Sequence, residues 1–366
     1  MGLIKDIYSP DFYNTFSDTA AKEIPGFNRK LFIKRIFNND FVRMEWKERM
    51  QHTTRVLHTF LPENFTQAAQ TIASIIQRLQ ARHTGDTLAY IFLADYIAAY
   101  GLDDFDSSVQ TMETVTQFIS CEFAVRPFLL KYEKPMIKQM IQWTNHSSNK
   151  VRRFASEGSR PRLPWAIAIP SLKKNPIPIL PILENLKNDP SEWVRKSVAN
   201  NLNDIAKDHP AVVLDIAARW SGKSRETDAI VKHGCRTLLK QGHPEVLKHY
   251  GLSSSALSVT ALKVLTPEVA TGSHVEFSFS VKNEGDAVQT VRLEYGIYYK
   301  KAKGHNARKV FKISERILQP GEILKVHRKQ SFKLITTRVF YPGQHQVSVI
   351  INGEEKAIKK FILTEV

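Results

Sequence analysis

A carboxylate set among arginines is the first feature of this 366-residue chain that could do chemistry. The stretch SSNKVRRFASEGSRPRLPWAIAIP, residues 147–170, places Arg152, Arg153, Arg160 and Arg162 on either side of Glu157. Guanidinium forks suit phosphate oxygens, and the indole of Trp165 suits a base, a sugar or a cation. The helix bearing Arg152, Arg153 and Glu157 is expected to stop at Gly158. Pro161 and Pro164 then disfavour helix, which predicts a fixed, extended presentation of Arg160, Arg162 and Trp165. A surface that only grips phosphate has no need of Glu157. Its carboxylate either forms a structural i,i+4 ion pair with Arg153 or faces a cation that develops in a reaction. Glu122, in SCEFAVRPF, offers a second carboxylate to the same face.

The elements that must position these groups read as helices. From the N-terminus to about Tyr250, apolar residues recur at three- and four-residue spacing. NKVRRFASEG (149–158) aligns with EWVRKSVANN (192–201) at an offset of 43 residues, inside the HEAT-repeat period, and ETDAIVKHGCRTLLK gives a weaker third copy with Val231 and Lys232 at an offset of 37. An apolar helix candidate precedes each copy: KPMIKQMIQWTN, PIPILPILENLKN and PAVVLDIAARW. Helix pairs of this kind stack into a solenoid whose second helices line a concave face. Over 192–207, Val194, Val198, Leu202 and Ile205 form an apolar stripe. Lys196, Asn200, Asn203, Asp204 and Lys207 are expected on another side, as a binding face or a plain solvated one. FVRMEWKERM and the Tyr96/Tyr100 pair have helical spacing and read as packing.

Beyond GLSSSALS the pattern changes to alternation, with Val275, Phe277, Phe279 and Val281 in one run and Val291, Leu293, Tyr295, Ile297 and Tyr299 in the next. Runs near 258–265, 273–283, 289–300, 307–317, 323–335, 344–352 and 355–364 make about seven strands, the size of an immunoglobulin-like sandwich. Asn352-Gly353 signals a two-residue hairpin, and Tyr341 sits where a tyrosine corner would. YYKKAKGHNARKVFK reads as a basic hairpin tip carrying Lys301 and Lys303, either an ordinary charged turn or a contact to DNA phosphates. The expected fold is therefore multidomain: an all-α HEAT-like repeat solenoid over 1–250, a linker at 251–257, and an all-β immunoglobulin-like sandwich over 258–366.

With 52 Lys and Arg against 36 Asp and Glu, the net charge is +16 and the pI about 9.7, which favours a polyanionic partner. The excess is shared evenly on either side of Gly251. A content of 42% hydrophobic residues excludes a disordered chain. The two cysteines, Cys121 and Cys235, exclude a disulfide framework. His52, His58, His83, His146, His209, His233, His243 and His249 show no metal-ligand spacing, and GxGxxG, GxxxxGK[ST] and GxSxG are absent, so no metal and no cofactor are expected. No run approaches the roughly 20 apolar residues of a bilayer span, and MGLIKDIYSPDFY has no export-signal core. A cytosolic monomer is expected.

The helix-pair repeats, the run SEGSRPRLPW, the following EWVRKSVANNLNDIAKDHP and the β tail together resemble the AlkC branch of the AlkC/AlkD DNA glycosylase family over nearly the whole chain. The resemblance implies excision of 3-methyladenine and 3-methylcytosine from alkylated double-stranded DNA in base excision repair. It also implies DNA bent over the concave face, without conventional flipping of the base into a deep pocket. An N3-alkylated base is cationic and already leaves well, so the remaining work is to stabilise an oxocarbenium-like sugar and to position water. A carboxylate can do both. Under the resemblance Glu157 is the first catalytic candidate and Glu122 the second, Trp165 packs against the lesion nucleotide, and Trp193 flanks it. Arg152, Arg153, Arg160, Arg162 and Lys196 would hold phosphates, with Asn200 and Asp204 ordering the contacts behind them. Lys301 and Lys303 would add a contact from the β domain. The competing readings are a non-catalytic HEAT solenoid that grips bent or branched DNA and a protein–protein scaffold.

Overall fold

The helical repeats pair as their periodicity demands. In the computed structural model, which describes residues 3–81, 87–334 and 339–365, α-helices run from Pro10–Glu23 to Pro244–His249. His83 and Ile335 lie outside the described residues. From Glu133 onward the helices come as first and second members: Glu133–Trp143 with Asn149–Gly158, then Leu180–Leu186 with Glu192–Ile205, and Pro210–Trp220 and Arg225–Gly234 follow in the same order along the chain. The second members pack side by side in a row. In the middle one the expected stripe of Val194, Val198, Leu202 and Ile205 is fully buried.

The repeat offset reappears as identical wiring. Nη1 of Arg152 donates to the carbonyls of His146 (2.9 Å) and Ser147 (2.7 Å) in the turn before its helix. Nη1 of Arg195, 43 residues on, donates to Asp189 (2.6 Å) and Pro190 (3.0 Å) in the equivalent turn. Asp189 also accepts from Nε (2.6 Å) and Nη2 (3.1 Å) of Arg152, so the arginine of one repeat binds the turn of the next. In the third copy the second helix spans ten residues, as in the first, and ends at Gly234, and a separate helix, Arg236–Gln241, follows.

Among the described residues eight strands follow: β1 (Leu257–Val264), β2 (Glu268–Ala270), β3 (His274–Asn283), β4 (Gln289–Lys300), β5 (Asn306–Leu318), β6 (Ile323–Ser331), β7 (Gly343–Ile351) and β8 (Glu354–Thr364). They form a three-stranded sheet, β1-β3-β6, and a five-stranded one, β2-β8-β7-β4-β5. The alternating residues of β3 and β4 point inward, where Phe277, Phe279, Val291, Leu293 and Ile297 pack against Val347, Val349 and Phe361. Three residues of β2, paired parallel to β8, were too short a run to show periodicity. The sixth strand ends at Ser331, before the limit its alternation suggested. Asn352 (φ 47°) and Gly353 (φ 80°) make the expected two-residue turn. Tyr341 contributes its carbonyl, to which His345 Nε2 is hydrogen-bonded at 3.0 Å.

By compactness the chain divides into two units: one runs up to Val213 and includes Trp220–Gly234, the other holds Leu214–Arg219 and the chain from Cys235 onward. The helices at Arg236–Gln241 and Pro244–His249 therefore group with the strands. The segment before β1 is itself anchored, with Leu252 buried and Ser253 accepting from Asn352 Nδ2 at 2.5 Å.

Candidate active site

The last turn of the helix Asn149–Gly158 delivers Glu157 to the row of second helices, where it is 5% exposed. Its Oε1 accepts from Arg160 Nη1 at 2.5 Å and its Oε2 from Ser197 Oγ at 2.7 Å. Arg153, the expected i,i+4 partner, lies farther away, with Nη2 at 3.7 Å. Arg153 reaches instead toward Glu122, pairing with its Oε2 and donating to Ser120 Oγ at 3.0 Å. Ser120 in turn donates to Glu122 at 2.9 Å. One guanidinium thus spans the two candidate carboxylates, and its Cζ lies 4.9 Å from the ring centre of Trp193.

Arg160 is buried between two acids. Its Nε donates to Asp204 Oδ2 at 2.7 Å, and Asp204 Oδ1 accepts from Lys207 at 2.9 Å. Burial alone would lower the pKa of the Arg160 guanidinium, but Glu157 and Asp204 outweigh it and hold the group above the usual arginine range. The structure therefore corrects two expectations. Arg160 is not displayed outward by the prolines, because two buried carboxylates capture it. Asn203 and Asp204 do not share an open face with Lys196 and Lys207, because both are buried. A polar stripe of Ser197, Asn201 and Asp204 was present in the sequence at i, i+4 and i+7. It marks the side of the helix that meets Glu157, Ser156 and Arg160.

The remaining arginines have acids of their own. Arg152 is committed to Asp189 and two carbonyls, and Arg162 forms a bidentate pair with Asp208. The bond from Arg162 holds the Asp208 carboxyl below the ordinary range. Of the four arginines flanking Glu157 in sequence, Arg153 and Arg160 are brought to it and Arg152 and Arg162 are not.

Trp165 is 64% exposed, on the loop after Gly158, with a left-handed backbone (φ 63°) that an L residue rarely adopts. Its carbonyl accepts from Lys47 and its ring centre lies 5.8 Å from that of Trp46. Lys47 Nζ also sits 5.5 Å from the ring centre of Phe123, next to Glu122. The run FVRMEWKERM thus does more than pack, since it buttresses the exposed indole. Another residue that sequence reasoning missed is Arg126, 1% exposed, which donates to three backbone carbonyls of the same loop region. Nothing in its local sequence distinguishes it from a surface arginine.

Next along the row, a groove of about 500 Å³ opens between the helices Glu192–Ile205 and Arg225–Gly234, lined by Arg195, Lys196, Arg225, Glu226 and His233 among others. Lys196 is exposed there, and Asn200 is half-buried, bonded through Oδ1 to His233 at 3.0 Å. Lys301 and Lys303 are exposed at the β4–β5 turn, which closes through Gly304 (φ 82°). Among the described residues no helix is long and apolar enough to cross a membrane, and no three His, Cys, Asp or Glu side chains are grouped to hold a metal ion.

Comparison with known proteins agrees with this layout along the full length. Residues 179–209 match the HEAT repeat model, and residues 258–365 match the model described as the C-terminal Ig-like domain of the uncharacterised protein YhaZ. The uncharacterized protein YhaZ of Bacillus subtilis (strain 168) is 41% identical over 357 residues, covering 97% of this chain and 98% of that one. The solved structure of the Pseudomonas fluorescens alkylpurine DNA glycosylase AlkC, bound to DNA containing an abasic site analog, is 34% identical. It superposes with a TM-score of 0.93 over 99% of this chain and 100% of that one. With both repeats and sandwich matched end to end, the chain belongs to the AlkC branch of the AlkC/AlkD HEAT-like repeat family, with a C-terminal immunoglobulin-like domain.

Proposed function

We propose that this chain is a DNA N-glycosylase that excises cationic N3-alkylated bases, 3-methyladenine and 3-methylcytosine, from alkylated double-stranded DNA. The observation that carries this reading is Glu157, a buried carboxylate held from two sides by Arg160 and Ser197. The AlkC relative, an alkylpurine DNA glycosylase bound to DNA containing an abasic site analog, supports the same reading. Each carboxylate oxygen can accept two hydrogen bonds, so the partners orient Glu157 and still leave acceptor sites. Departure of the alkylated base as a neutral molecule leaves positive charge on the sugar. A fixed carboxylate in a site of low dielectric stabilises that charge and accepts a proton as water adds to C1′.

Glu122, tied to Glu157 through Arg153, supplies the second negative charge, and Trp165 offers its face to the lesion nucleotide by cation–π attraction. Phosphate contacts fall to Arg153, Lys196 and the Lys301/Lys303 turn, with Trp193 beside them. Asn200 orders the groove, and Asp204 holds Arg160. Arg152 and Arg162 serve the repeats through Asp189 and Asp208. DNA lies over the row of second helices without a deep base pocket.

The test is release of free base from methylated double-stranded DNA by the purified chain, beside Glu157→Gln. Release of 3-methyladenine or 3-methylcytosine that depends on Glu157 is the expected result. Tight, salt-sensitive DNA binding with no base released would assign the chain to the non-catalytic solenoid instead.

A further inference from the structure

Arg126 lies in the first turn of the helix Val125–Lys131 and commits its guanidinium to backbone alone. Nε donates to the Ile167 carbonyl at 2.8 Å, and Nη1 donates to those of Gly158 at 2.8 Å and Arg160 at 2.7 Å. Nη2 is buried without a partner among the described residues. The three carbonyls bracket the segment that bears Trp165 and close the helix that bears Glu157. Gly158 supplies one of the carbonyls left unpaired at a helix end, where a cation is favoured.

A charge is an expensive way to tie a loop. Burial first, and the nearby Arg160 charge second, push the Arg126 guanidinium down to about 10, with Asp204 opposing. A charge kept there against its neighbour is held by backbone carbonyls and not by an acid. Glu122, Glu157 and Asp204 are matched by Arg153, Arg160 and Lys207, and Arg126 is bonded to no carboxylate among the described residues. Arg160 is held at both ends, its side chain by Glu157 and Asp204 and its carbonyl by Arg126.

We propose that Arg126 is a positioning residue for base excision: through three carbonyls it holds the Glu157–Arg160 pair and the Trp165 indole in one fixed relation. The proposal rests on the reading of Glu157 and Trp165 as site residues, and its test is chosen to separate the two. The full-length chain, with its five tryptophans, is labelled with 5-fluorotryptophan. Trp165→Phe assigns the Trp165 fluorine resonance, and Arg126→Gln and Arg126→Lys are then compared with wild type. In Arg126→Gln the Trp165 resonance is expected to shift or broaden while those of buried Trp143 and Trp220 stay in place. kcat for base release is expected to fall at least tenfold, with KM and the Kd for undamaged DNA changed less than threefold. Arg126→Lys, which keeps the charge and fewer of the three bonds, should lie between.

An unmoved Trp165 resonance in Arg126→Gln overturns the proposal, and so does a moved resonance with unchanged turnover. Collapse of all five resonances in both variants overturns it too, by making Arg126 a residue of the fold at large. If the wild-type chain releases no base, the glycosylase reading fails while the fluorine spectrum still decides whether Arg126 positions Trp165.

Discussion

Glu157 combines near-complete burial with one charge-assisted bond from Arg160 and one hydroxyl donor, Ser197, while Arg153 stands 3.7 Å away, so its negative charge is fixed in place. Glu157→Gln keeps the shape and removes the charge. It is expected to lower kcat by about 10²-fold or more, the scale of one preorganised electrostatic contact in a dry site, with binding to alkylated DNA changed less than threefold. Glu157→Ala is a harsher change, because it leaves Arg160 short of a buried partner. That variant should also lose about 1–3 kcal/mol of stability, read as a lower midpoint in urea. The candidacy of Glu157 was legible in sequence as the odd carboxylate among arginines. Its surroundings were not, since Ser197 arrives from 40 residues away across the helix interface, and Asp204, the partner of Arg160, from 44.

At the scale of elements, the loop between Gly158 and Pro170 is over-determined: Arg126 binds three of its carbonyls or those of its flank, Lys47 binds a fourth, and Trp46 flanks the indole. Such ties allow a non-glycine residue to persist at φ 63°. Trp165→Gly and Trp165→Ala remove the same ring, yet only glycine relaxes the backbone. Trp165→Gly should therefore be more stable than Trp165→Ala by about 0.5–1 kcal/mol, while both lose base release alike. In the sandwich, His345 is fully buried among Phe332, Phe361 and Tyr299, and burial holds its pKa below the usual 6.5. The folded state thus binds the neutral ring. Above pH 6.5 its stability is intact, and as pH falls below that value the unfolded chain takes up a proton that the folded chain refuses. Thermal melts of the full chain should decline between pH 7 and 5, and His345→Gln should flatten that decline.

For the whole molecule, a net charge of +16 predicts DNA affinity that falls linearly with the logarithm of salt concentration. If Lys301 and Lys303 reach phosphates, charge reversal to Glu at both should reduce that slope by about 1–2 with unchanged secondary structure. Deleting the sandwich is a poorer experiment. A chain ending at Gly251 keeps the helix Pro244–His249 but removes the turn at Gly353, against which Gly242 and Leu247 pack. That truncation should melt lower and aggregate, read by light scattering, whatever its effect on base release.

Composition and periodicity determined a great deal by themselves: helices to about Tyr250, strands from about Ser258, the 43-residue repeat, the Asn352-Gly353 turn and the segment that carries the candidate site. These are local properties, set by which side of an element is apolar and by which residues tolerate a turn, so they can be read from neighbours in sequence. Tertiary structure alone decided which charges meet. Arg152 and Arg162 look like Arg153 and Arg160 on paper, yet each is drawn off by an aspartate some 40 residues downstream, Asp189 or Asp208. Arg126, which no pattern singles out, is bonded to the backbone carbonyls of Gly158, Arg160 and Ile167. Ion pairs and backbone clamps are selected by the packing of separate helices, in which burial raises the cost of every unpaired charge, and that geometry has no counterpart in local sequence spacing.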